Sequence, residues 1–403
     1  MPDALIFDAV RTPRGRGKAE TGGLHEVAPV ELAAGTLRAL RDRHALPIDS
    51  VDDVILGCVD PVMDQAGDIA RSAALVAGFG DGVPGLQINR FCASGLEAVS
   101  IAASRVKSED ADLIIAGGVE MMSRIGMGGS GMPVLTDPAL AIPHMMIPQG
   151  VSADLIATRD GWSRDDVDVL AVQSQQRAAH AWAEGRFAHS VIPVRDANGL
   201  TILDADETIR GDATMQSLGA LSPSFAGLAA MAGFDAVAIQ RYPDVEALNY
   251  VHHAGNSSQI VDGAAAVLIG SASAAEKHGL RARARIRSSV SLGSEPTIML
   301  TGPVEAARRA VARCGMTFDD VDLWELNEAF AAVVLHFMSE TGVTADRMNV
   351  NGGAIAMGHP LGATGAMILG TLIDELERAD KTVGVATLCA ASGQAIAMVI
   401  ERI

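Results

Sequence analysis

One cysteine stands where a strand-like run of the sequence gives way to a helix-like run. Cys92 lies in residues 89–95 (NRFCASG), after an extended run over 85–88 and before small and apolar residues at helical spacing over 96–103. A thiol at the start of a helix is surrounded by free backbone N–H groups at the positive end of the helix dipole, which stabilise its thiolate. Cys92 is therefore a candidate nucleophile; a buried structural cysteine is the alternative.

Three further segments stand at similar junctions. Asn327 begins NEAFA after a predicted strand, His359 lies in GHPLG before a predicted helix, and Cys389 begins CAASG after a predicted strand. Taken singly, each has an ordinary structural alternative, because asparagine is frequent in turns, histidine occurs in loops and cysteine is often a small buried apolar residue. Whether they act with Cys92 depends on the elements that carry them.

Strand-like and helical runs alternate along the chain, as is typical of a layered α/β fold. In the first half the pattern predicts strands over 5–9, 53–57 and 112–118 and helices over 30–43 and 68–77. The second half repeats this order, with a helix over 304–313, a strand over 320–327, a helix over 362–377 and a strand over 382–388. Two such halves can pack as a pseudo-symmetric pair and bring their loops into one cleft, although a coincidental rhythm is the alternative.

The stretch between the halves differs from them in composition and in hydrophobic pattern. It opens with a glycine- and methionine-rich segment over 126–133 and continues through a charged amphipathic helix over 164–184. Its methionines either line an adaptable apolar site or belong to the core. We predict an N-terminal half over 1–122, completed by 252–275, an inserted cap domain over 123–251 and a C-terminal half over 276–403.

Composition excludes several classes of protein. The 403 residues carry a net charge of −18, which argues against nucleic acid or an anionic membrane as the main partner. No apolar run approaches the ~20 residues of a membrane span, and the start lacks a signal-peptide pattern, so we expect a cytoplasmic protein without integral membrane contact. The four cysteines are dispersed, so we expect reduced thiols and no metal site.

Together, the segments resemble the thiolase family over essentially the whole chain. The matching motifs are, in the family's order, CAS at 92–94, NEAF at 327–330, GHP at 358–360 and the cysteine loop at 389, with support from HAGNSS at 253–258 and NVNGGAIA at 349–356. The resemblance implies the thiolase fold: two pseudo-symmetric α/β halves with mixed five-stranded sheets in α-β-α-β-α layering, plus an inserted cap.

The resemblance also implies a chemistry, namely acyl transfer between Cys92 and coenzyme A, which is a substrate rather than a prosthetic group. Cys92 would carry the acyl group, His359 would accept its proton near neutral pH, and Cys389 would protonate or deprotonate the acetyl α-carbon. His359 and a water held by Asn327 would form one oxyanion site, and the backbone N–H groups of Cys92 and Ala391 the other.

Coenzyme A contacts are implied at four positions. Aligning the cap with the family places Arg210 at the adenine nucleotide, with a surface arginine as the alternative. Phe225 matches an apolar pocket wall. Ser258 matches a serine beside the pantetheine arm, and Ala254 lies in the same motif.

Two departures from the family pattern bear on function. The loop after Cys389 reads AASGQA where the family usually has glycines, which adds Cβ atoms where the backbone could need positive φ. Residues 148–150 read PQG where many short-chain members have His-Met-Gly, which suggests a different and longer acyl tunnel. This second departure, with residues 150–158 and 227–253, looks most like the thiolase subunit of bacterial β-oxidation trifunctional complexes.

We therefore expect thiolytic cleavage of medium- to long-chain 3-ketoacyl-CoA. The alternatives are a biosynthetic acetyl-CoA acetyltransferase, which condenses two acetyl units, and a catalytically impaired acyl-CoA-binding subunit. The resemblance implies a homodimer or homotetramer and, for the trifunctional type, association with a hydratase/dehydrogenase subunit.

Overall fold

The computed structural model describes residues 2–403, in which strands from both halves of the chain form one mixed sheet. Its N-terminal part contains β1 (Leu5–Arg11), β2 (Gly15–Arg16), β3 (Asp53–Gly57), β4 (Gly85–Ile88), β5 (Leu113–Met121) and β8 (Val261–Gly270). Its C-terminal part contains β9 (Ala284–Gly293), β10 (Leu323–Leu326), β11 (Val383–Ala390) and β12 (Gln394–Arg402). The order is β10-β11-β12-β9-β1-β8-β5-β3-β4, with β2 beside β8.

The two parts of the sheet repeat one pattern of strand directions. β3 runs parallel to β4 and β5, and β8 runs antiparallel to β5 and β1. In the other part, β10 runs parallel to β11, and β12 runs antiparallel to β11 and β9. The counterpart of β4 is a single parallel bridge between Trp324 and Met348. β1 and β9 join the two parts through only two residue pairs.

Helices cover both faces of the sheet. They are α1 (Pro29–Arg43), α2 (Ile69–Val76), α3 (Ser94–Lys107), α11 (Ala272–His278), α12 (Gly302–Arg313), α13 (Ala331–Thr341), α14 (Ala354–Met357) and α15 (Thr364–Arg378). α3 and α15 pack on each other between the two parts of the sheet, whereas α1 and α2 cover the N-terminal part and α12 the C-terminal part. This arrangement gives the expected α-β-α-β-α layering.

Strand residues alternate between separate cores because successive side chains point to opposite faces. In β1, Ile6 and Ala9 pack against the α3 and α15 layer, while Phe7 and Val10 pack against α1. β5 and β8 are buried along their whole length, as expected of strands covered on both faces.

Residues 123–251 form most of the remaining structure. They contain α4 (Pro133–Thr136), α5 (Pro138–Ala141), α6 (Gln149–Asp160), α7 (Arg164–Ala183), β6 (Val194–Arg195), β7 (Thr201–Leu203), α8 (Met215–Gly219), α9 (Ala226–Ala232) and α10 (Phe234–Arg241). Met121, Met122 and Met146 are buried, in line with the core alternative, whereas Met127 is exposed. The domain bounds stay a prediction, which the position of β8 in the N-terminal part supports.

Within residues 2–403, no helix has both the length and the apolar character that a membrane crossing requires.

Candidate active site

Cys92 lies in a tight turn between β4 and α3. Phe91 adopts a positive φ of 49°, an uncommon conformation for a large side chain, and its N–H donates to Oδ1 of Asn89 over 2.8 Å. The Ser94 hydroxyl accepts from the N–H of Arg90 over 2.8 Å and donates to the carbonyl of Phe91 over 2.6 Å. These bonds hold the strained turn that places Cys92 ahead of the helix, with 7% of its surface exposed.

Two glycines allow the first turns of α3 and α15 to touch backbone to backbone. A Cβ on Gly95 would lie 2.7 Å from the carbonyl oxygen of Gly362, and one on Gly365 would lie 2.2 Å from the N atom of Leu96. Only glycine permits such an approach. The contact brings residues 358–362, which carry His359, beside the Cys92 turn.

A buried carboxylate fastens the same loop to the N-terminal half. Glu120, in β5, accepts from the N–H of Gly362 over 3.0 Å, from the N–H of Val59 over 2.8 Å and from Nε2 of Gln65 over 2.9 Å. Burial raises the pKa of Glu120 even though these donors favour its charged form. Glu120 therefore links β5, the segment after β3 and the His359 loop.

His359 is buried and held at both ring nitrogens. Nδ1 lies 2.6 Å from Oγ1 of Thr364, Nε2 lies 3.4 Å from Nδ2 of Asn327, and the backbone N–H donates to the carbonyl of Gln259 over 3.0 Å. Burial, helped by the charge of Arg14, lowers the pKa of His359 to about 3. The imidazole of His359 is therefore neutral at neutral pH, which is the form that can accept a proton.

Asn327 follows β10 and faces the same space. Its N–H donates to the carbonyl of Thr387 over 3.1 Å, while its side-chain Oδ1 is buried without a hydrogen-bond partner among the described residues. A buried polar atom of this kind normally has a partner, so Oδ1 can bind a water or ligand donor. The adjacent Glu328 accepts from Oγ of Ser174 over 2.6 Å and from the N–H of Ile355 over 3.1 Å.

Cys389 lies near the end of β11 and is 1% exposed. Burial raises the pKa of Cys389, and the nearby Cys92 raises it further, so the two sulfur atoms share one site. The turn that follows has positive φ at Ser392 (60°) and Gly393 (69°) but not at Ala391. The departure from the glycine pattern therefore strains Ser392 rather than Ala391.

Burial dominates the electrostatics of the Cys92 thiol. It raises the pKa of Cys92 to about 12, against hydrogen bonds from the backbone N–H groups of Cys92 and Ala391 and from the side chain of Gln149. The expected stabilisation of the thiolate by the helix start is therefore too small to ionise the thiol in the free site. The same donors point at the position where a thiolate or a reacting oxygen would carry charge.

The implied coenzyme A residues fall into two groups. The Phe225 and Phe330 rings pack edge to face at 5.8 Å, and the Ser258 N–H donates to the carbonyl of Ala329 over 3.0 Å. Ala254 is exposed on the same loop, and its carbonyl accepts from Nε2 of Gln259 over 2.7 Å. These three residues thus lie beside the NEAF segment.

Arg210 lies apart from this group. It is exposed in the cap, and its backbone N–H donates to Oε1 of Gln175 over 2.6 Å. Nε2 of Gln175 in turn donates to the carbonyl of Ile355 over 3.3 Å, in the NGGAIA segment.

Three neighbours of the site had no assigned role in the sequence: Thr364, Glu120 and Gln149. Thr364 stands five residues after His359 at the first position of a helix, which is a recognisable local signal. Glu120 had no such signal, because its partner Gly362 is distant in sequence. Gln149 was visible only as a departure from a family motif.

Comparisons with known proteins agree with this geometry. The family model "Thiolase, N-terminal domain" matches residues 4–236, and "Thiolase, C-terminal domain" matches residues 280–402. The chain is 40% identical over 412 residues to the 3-ketoacyl-CoA thiolase of Pectobacterium carotovorum, with 100% of both chains covered. It is 40% identical to that of Shewanella frigidimarina over the same full coverage.

A solved structure has the same fold. The crystal structure of the Bacillus anthracis acetyl-CoA acetyltransferase matches with a TM-score of 0.85 and 32% identity, and the match covers 100% of this chain and 99% of that one. The chain belongs to the thiolase family, and it is an acyltransferase.

Proposed function

We propose that the chain cleaves 3-ketoacyl-CoA with coenzyme A, releasing acetyl-CoA and a shortened acyl-CoA, as in fatty-acid β-oxidation. The observation that carries the proposal is the proximity of two buried cysteines, because Cys92 is close enough to raise the pKa of Cys389. The backbone contact between Gly95 and Gly362 supports placing His359, and Asn327 at 3.4 Å from it, at the same site. The printed name of the full-length relatives supports the same reaction.

In the first half-reaction the Cys92 thiol loses its proton to Nε2 of His359, and the sulfur attacks the 3-keto carbon. The oxygen of that carbon takes up the electron pair and becomes an oxyanion. We assign this oxyanion to the site formed by the backbone N–H groups of Cys92 and Ala391, and the hydrogen bonds that these groups make to the Cys92 sulfur support the assignment. The bond between C2 and C3 then breaks. Acetyl-CoA leaves as an enolate that takes a proton from Cys389, and the acyl group remains on Cys92 as a thioester.

In the second half-reaction coenzyme A resolves the acyl-enzyme. Its thiol gives its proton to the Cys389 thiolate left by the first half-reaction, and its sulfur attacks the thioester carbonyl. The bond between that carbon and the Cys92 sulfur breaks, and the Cys92 thiolate takes its proton back from the imidazolium of His359. Because Cys92 and His359 are both neutral in the free site, substrate contacts must favour the charged pair. His359 and a water on Asn327 are assigned to the second oxyanion.

We assign the coenzyme A path to Phe225, Ala254 and Ser258, with Arg210 at the adenine nucleotide. The proximity of the first three to the NEAF segment supports an entry along this side of the cap. For Arg210 the support is electrostatic: it is an exposed cation near residues 355–356 in an acidic protein, where an anionic ligand needs local positive charge.

The reverse reaction, condensation of acetyl-CoA, is the second candidate. The solved neighbour is named an acetyl-CoA acetyltransferase, and the same residues can run the steps backwards. The polar Gln149 beside the nucleophile, in place of the Met of many short-chain members, favours a different acyl group, and we propose medium to long chains. An impaired binding subunit is disfavoured by the presence of all four catalytic side chains.

We also propose a homodimer or homotetramer in the cytoplasm, with a hydratase/dehydrogenase subunit as a further partner. The four cysteines are free, as expected in a reducing compartment. Native mass spectrometry of the purified chain, alone and co-expressed with such a subunit, separates these assemblies. A stable homotetramer that does not bind the hydratase/dehydrogenase subunit contradicts the proposed complex.

The function is tested with 3-ketoacyl-CoA substrates of increasing chain length, by following loss of the magnesium enolate absorbance after addition of coenzyme A. Cys92→Ser should abolish turnover, whereas Cys314→Ser, which removes a thiol outside the site, should not. Without coenzyme A, mass spectrometry should find the acyl group on Cys92. A monotonic fall in rate from acetoacetyl-CoA to longer substrates would contradict the chain-length proposal. Binding of these substrates without turnover would contradict the proposed thiolytic activity.

A further inference from the structure

The imidazole of His359 contacts a hydroxyl that has another partner. Oγ1 of Thr364 lies 2.6 Å from Nδ1 of His359 and 2.9 Å from the carbonyl oxygen of Pro360, to which it donates. Thr364 is the first residue of α15 and is 1% exposed. Two short contacts therefore converge on a buried group that has a single proton to give.

The Thr364 hydroxyl has one proton for two contacts, and this determines the direction of both hydrogen bonds. The Pro360 carbonyl also accepts from the backbone N–H groups of Ala363 and Thr364, but a carbonyl oxygen can only accept, so a hydroxyl oxygen 2.9 Å away must turn its proton toward it. The contact with Nδ1 must then be made by a proton on the imidazole. The opposite assignment would leave two acceptor oxygens facing each other in a buried site, which is unfavourable.

We propose that Thr364 is a positioning residue that fixes His359 in the Nδ1-protonated tautomer and leaves the lone pair of Nε2 free to act as a base. The direction of the Thr364 bonds carries this assignment. The side-chain amide of Asn327 agrees with it, because Nδ2, a donor, faces Nε2 at 3.4 Å. The catalytic consequence rests on the function proposed above, in which Nε2 accepts the Cys92 proton.

The proposed step is a simple proton transfer. The S–H bond of Cys92 breaks, its electron pair stays on sulfur, and a new N–H bond forms at Nε2. The resulting imidazolium keeps its Nδ1–H bond to Thr364, which steadies the ring in the charged state. Without the hydroxyl, Nδ1–H has no acceptor, and the ring can populate the tautomer whose Nε2 already carries a proton.

The experiment compares Thr364→Val, which removes the hydroxyl at nearly constant shape, with Thr364→Ser, which keeps it. The nitrogen chemical shifts of ¹⁵N-histidine-labelled protein report the tautomer directly, and the His359 signal is identified by its loss in His359→Gln. We expect protonated Nδ1 in the wild-type chain and in Thr364→Ser. We expect mixed tautomers in Thr364→Val, with kcat reduced on the order of tenfold to a hundredfold at nearly unchanged KM.

The two readouts separate the inference from the proposed function. The tautomer is measured on the free protein and needs no turnover, so an inactive chain with Nδ1–H on His359 contradicts the function but not the positioning role. A wild-type signal with the proton on Nε2 overturns the inference. So does a folded Thr364→Val protein that retains wild-type kcat, or a Thr364→Ser protein as impaired as Thr364→Val.

Discussion

Gln149 places an uncharged donor against the nucleophile. It is the first residue of α6, and the helix is held there because Gly150 packs on the Phe225 ring, where a Cβ would lie 2.3 Å from a ring carbon. Oγ of Ser152 also donates to the carbonyl of Thr297 over 2.7 Å. These contacts fix the backbone from which the Gln149 side chain reaches Cys92.

Replacing Gln149 by Met should slow the reaction of the Cys92 thiol. Gln149 is among the groups that lower the pKa of Cys92 against burial, so its loss reduces the thiolate fraction. We expect alkylation by iodoacetamide at pH 8 to slow on the order of tenfold, since a hydrogen bond to a charged group is worth about 1.5–3 kcal/mol. Peptide mapping identifies Cys92 as the modified residue. Cys92 in Gln149→Glu, which adds a negative charge, should be alkylated at least as slowly. An unchanged alkylation rate in Gln149→Met contradicts the hydrogen bond from Gln149 to the Cys92 sulfur.

Ser392 carries strain that glycine would remove. Its φ of 60° is unfavourable for a residue with a Cβ, and its Oγ is buried without a partner among the described residues. Ser392→Gly should raise the free energy of unfolding by about 1 kcal/mol, measured by urea denaturation.

The adjacent Ala391 is the matched control. It lies outside the positive-φ region, so Ala391→Gly should lower stability by roughly 0.5–1 kcal/mol and should not speed thiolysis. Changes of equal sign in the two variants would show that backbone conformation does not govern this loop.

At the scale of elements, the site depends on how closely α3 approaches α15. Gly95→Ala would place a Cβ 2.7 Å from the carbonyl of Gly362 and force the two helix starts apart. We expect a loss of about 1–3 kcal/mol in the free energy of unfolding, typical of overpacking, and a fall in kcat because Cys92 and His359 sit on the separated segments.

Gly35→Ala in α1 is the control for this substitution. A Cβ there meets no atom within 4 Å, so the change should be neutral or stabilise the protein by up to about 1 kcal/mol through helix propensity. If Gly95→Ala were as stable and active as Gly35→Ala, the close contact would not position the site. Urea unfolding and steady-state thiolysis measure both effects.

For the molecule as a whole, periodicity was sufficient to predict the main elements. The strand over 53–57 coincides with β3, and the helix over 30–43 differs from α1 by one residue. The repeat predicted two similar halves, and the strand directions confirm it. These features depend on local patterns of burial, which a sequence displays directly.

The charge states and the cross-chain contacts were not predictable in the same way. The low pKa of His359 and the high pKa of Cys92 come from complete burial, which depends on elements distant in sequence. The bond between Glu120 and Gly362 joins residues 242 positions apart. The short helices α4 and α5 carry too few residues for a periodic signal.

The buried neutral His359 should make the folded protein sensitive to acid. Its pKa is lowered from 6.5 to about 3 on folding, so between these values the unfolded chain binds a proton that the folded chain does not. The stability that His359 contributes is therefore present above pH 6.5 and is lost as the pH falls toward 3. At about 1.4 kcal/mol per pH unit, the loss between pH 7.5 and pH 5 is about 2 kcal/mol.

This contribution is isolated by comparing the wild-type chain with His359→Gln in urea denaturation at pH 7.5 and at pH 5. The difference in the free energy of unfolding between the two proteins should shift by about 2 kcal/mol in favour of the variant at the lower pH, whatever its absolute stability. His144→Gln removes an exposed histidine of the cap and controls for the generic effect of one histidine fewer. Equal pH dependence in the wild-type chain and in His359→Gln would mean that the imidazole is accessible to protons in the folded state. That result would also undermine the neutral thiol–imidazole pair from which the proposed reaction starts.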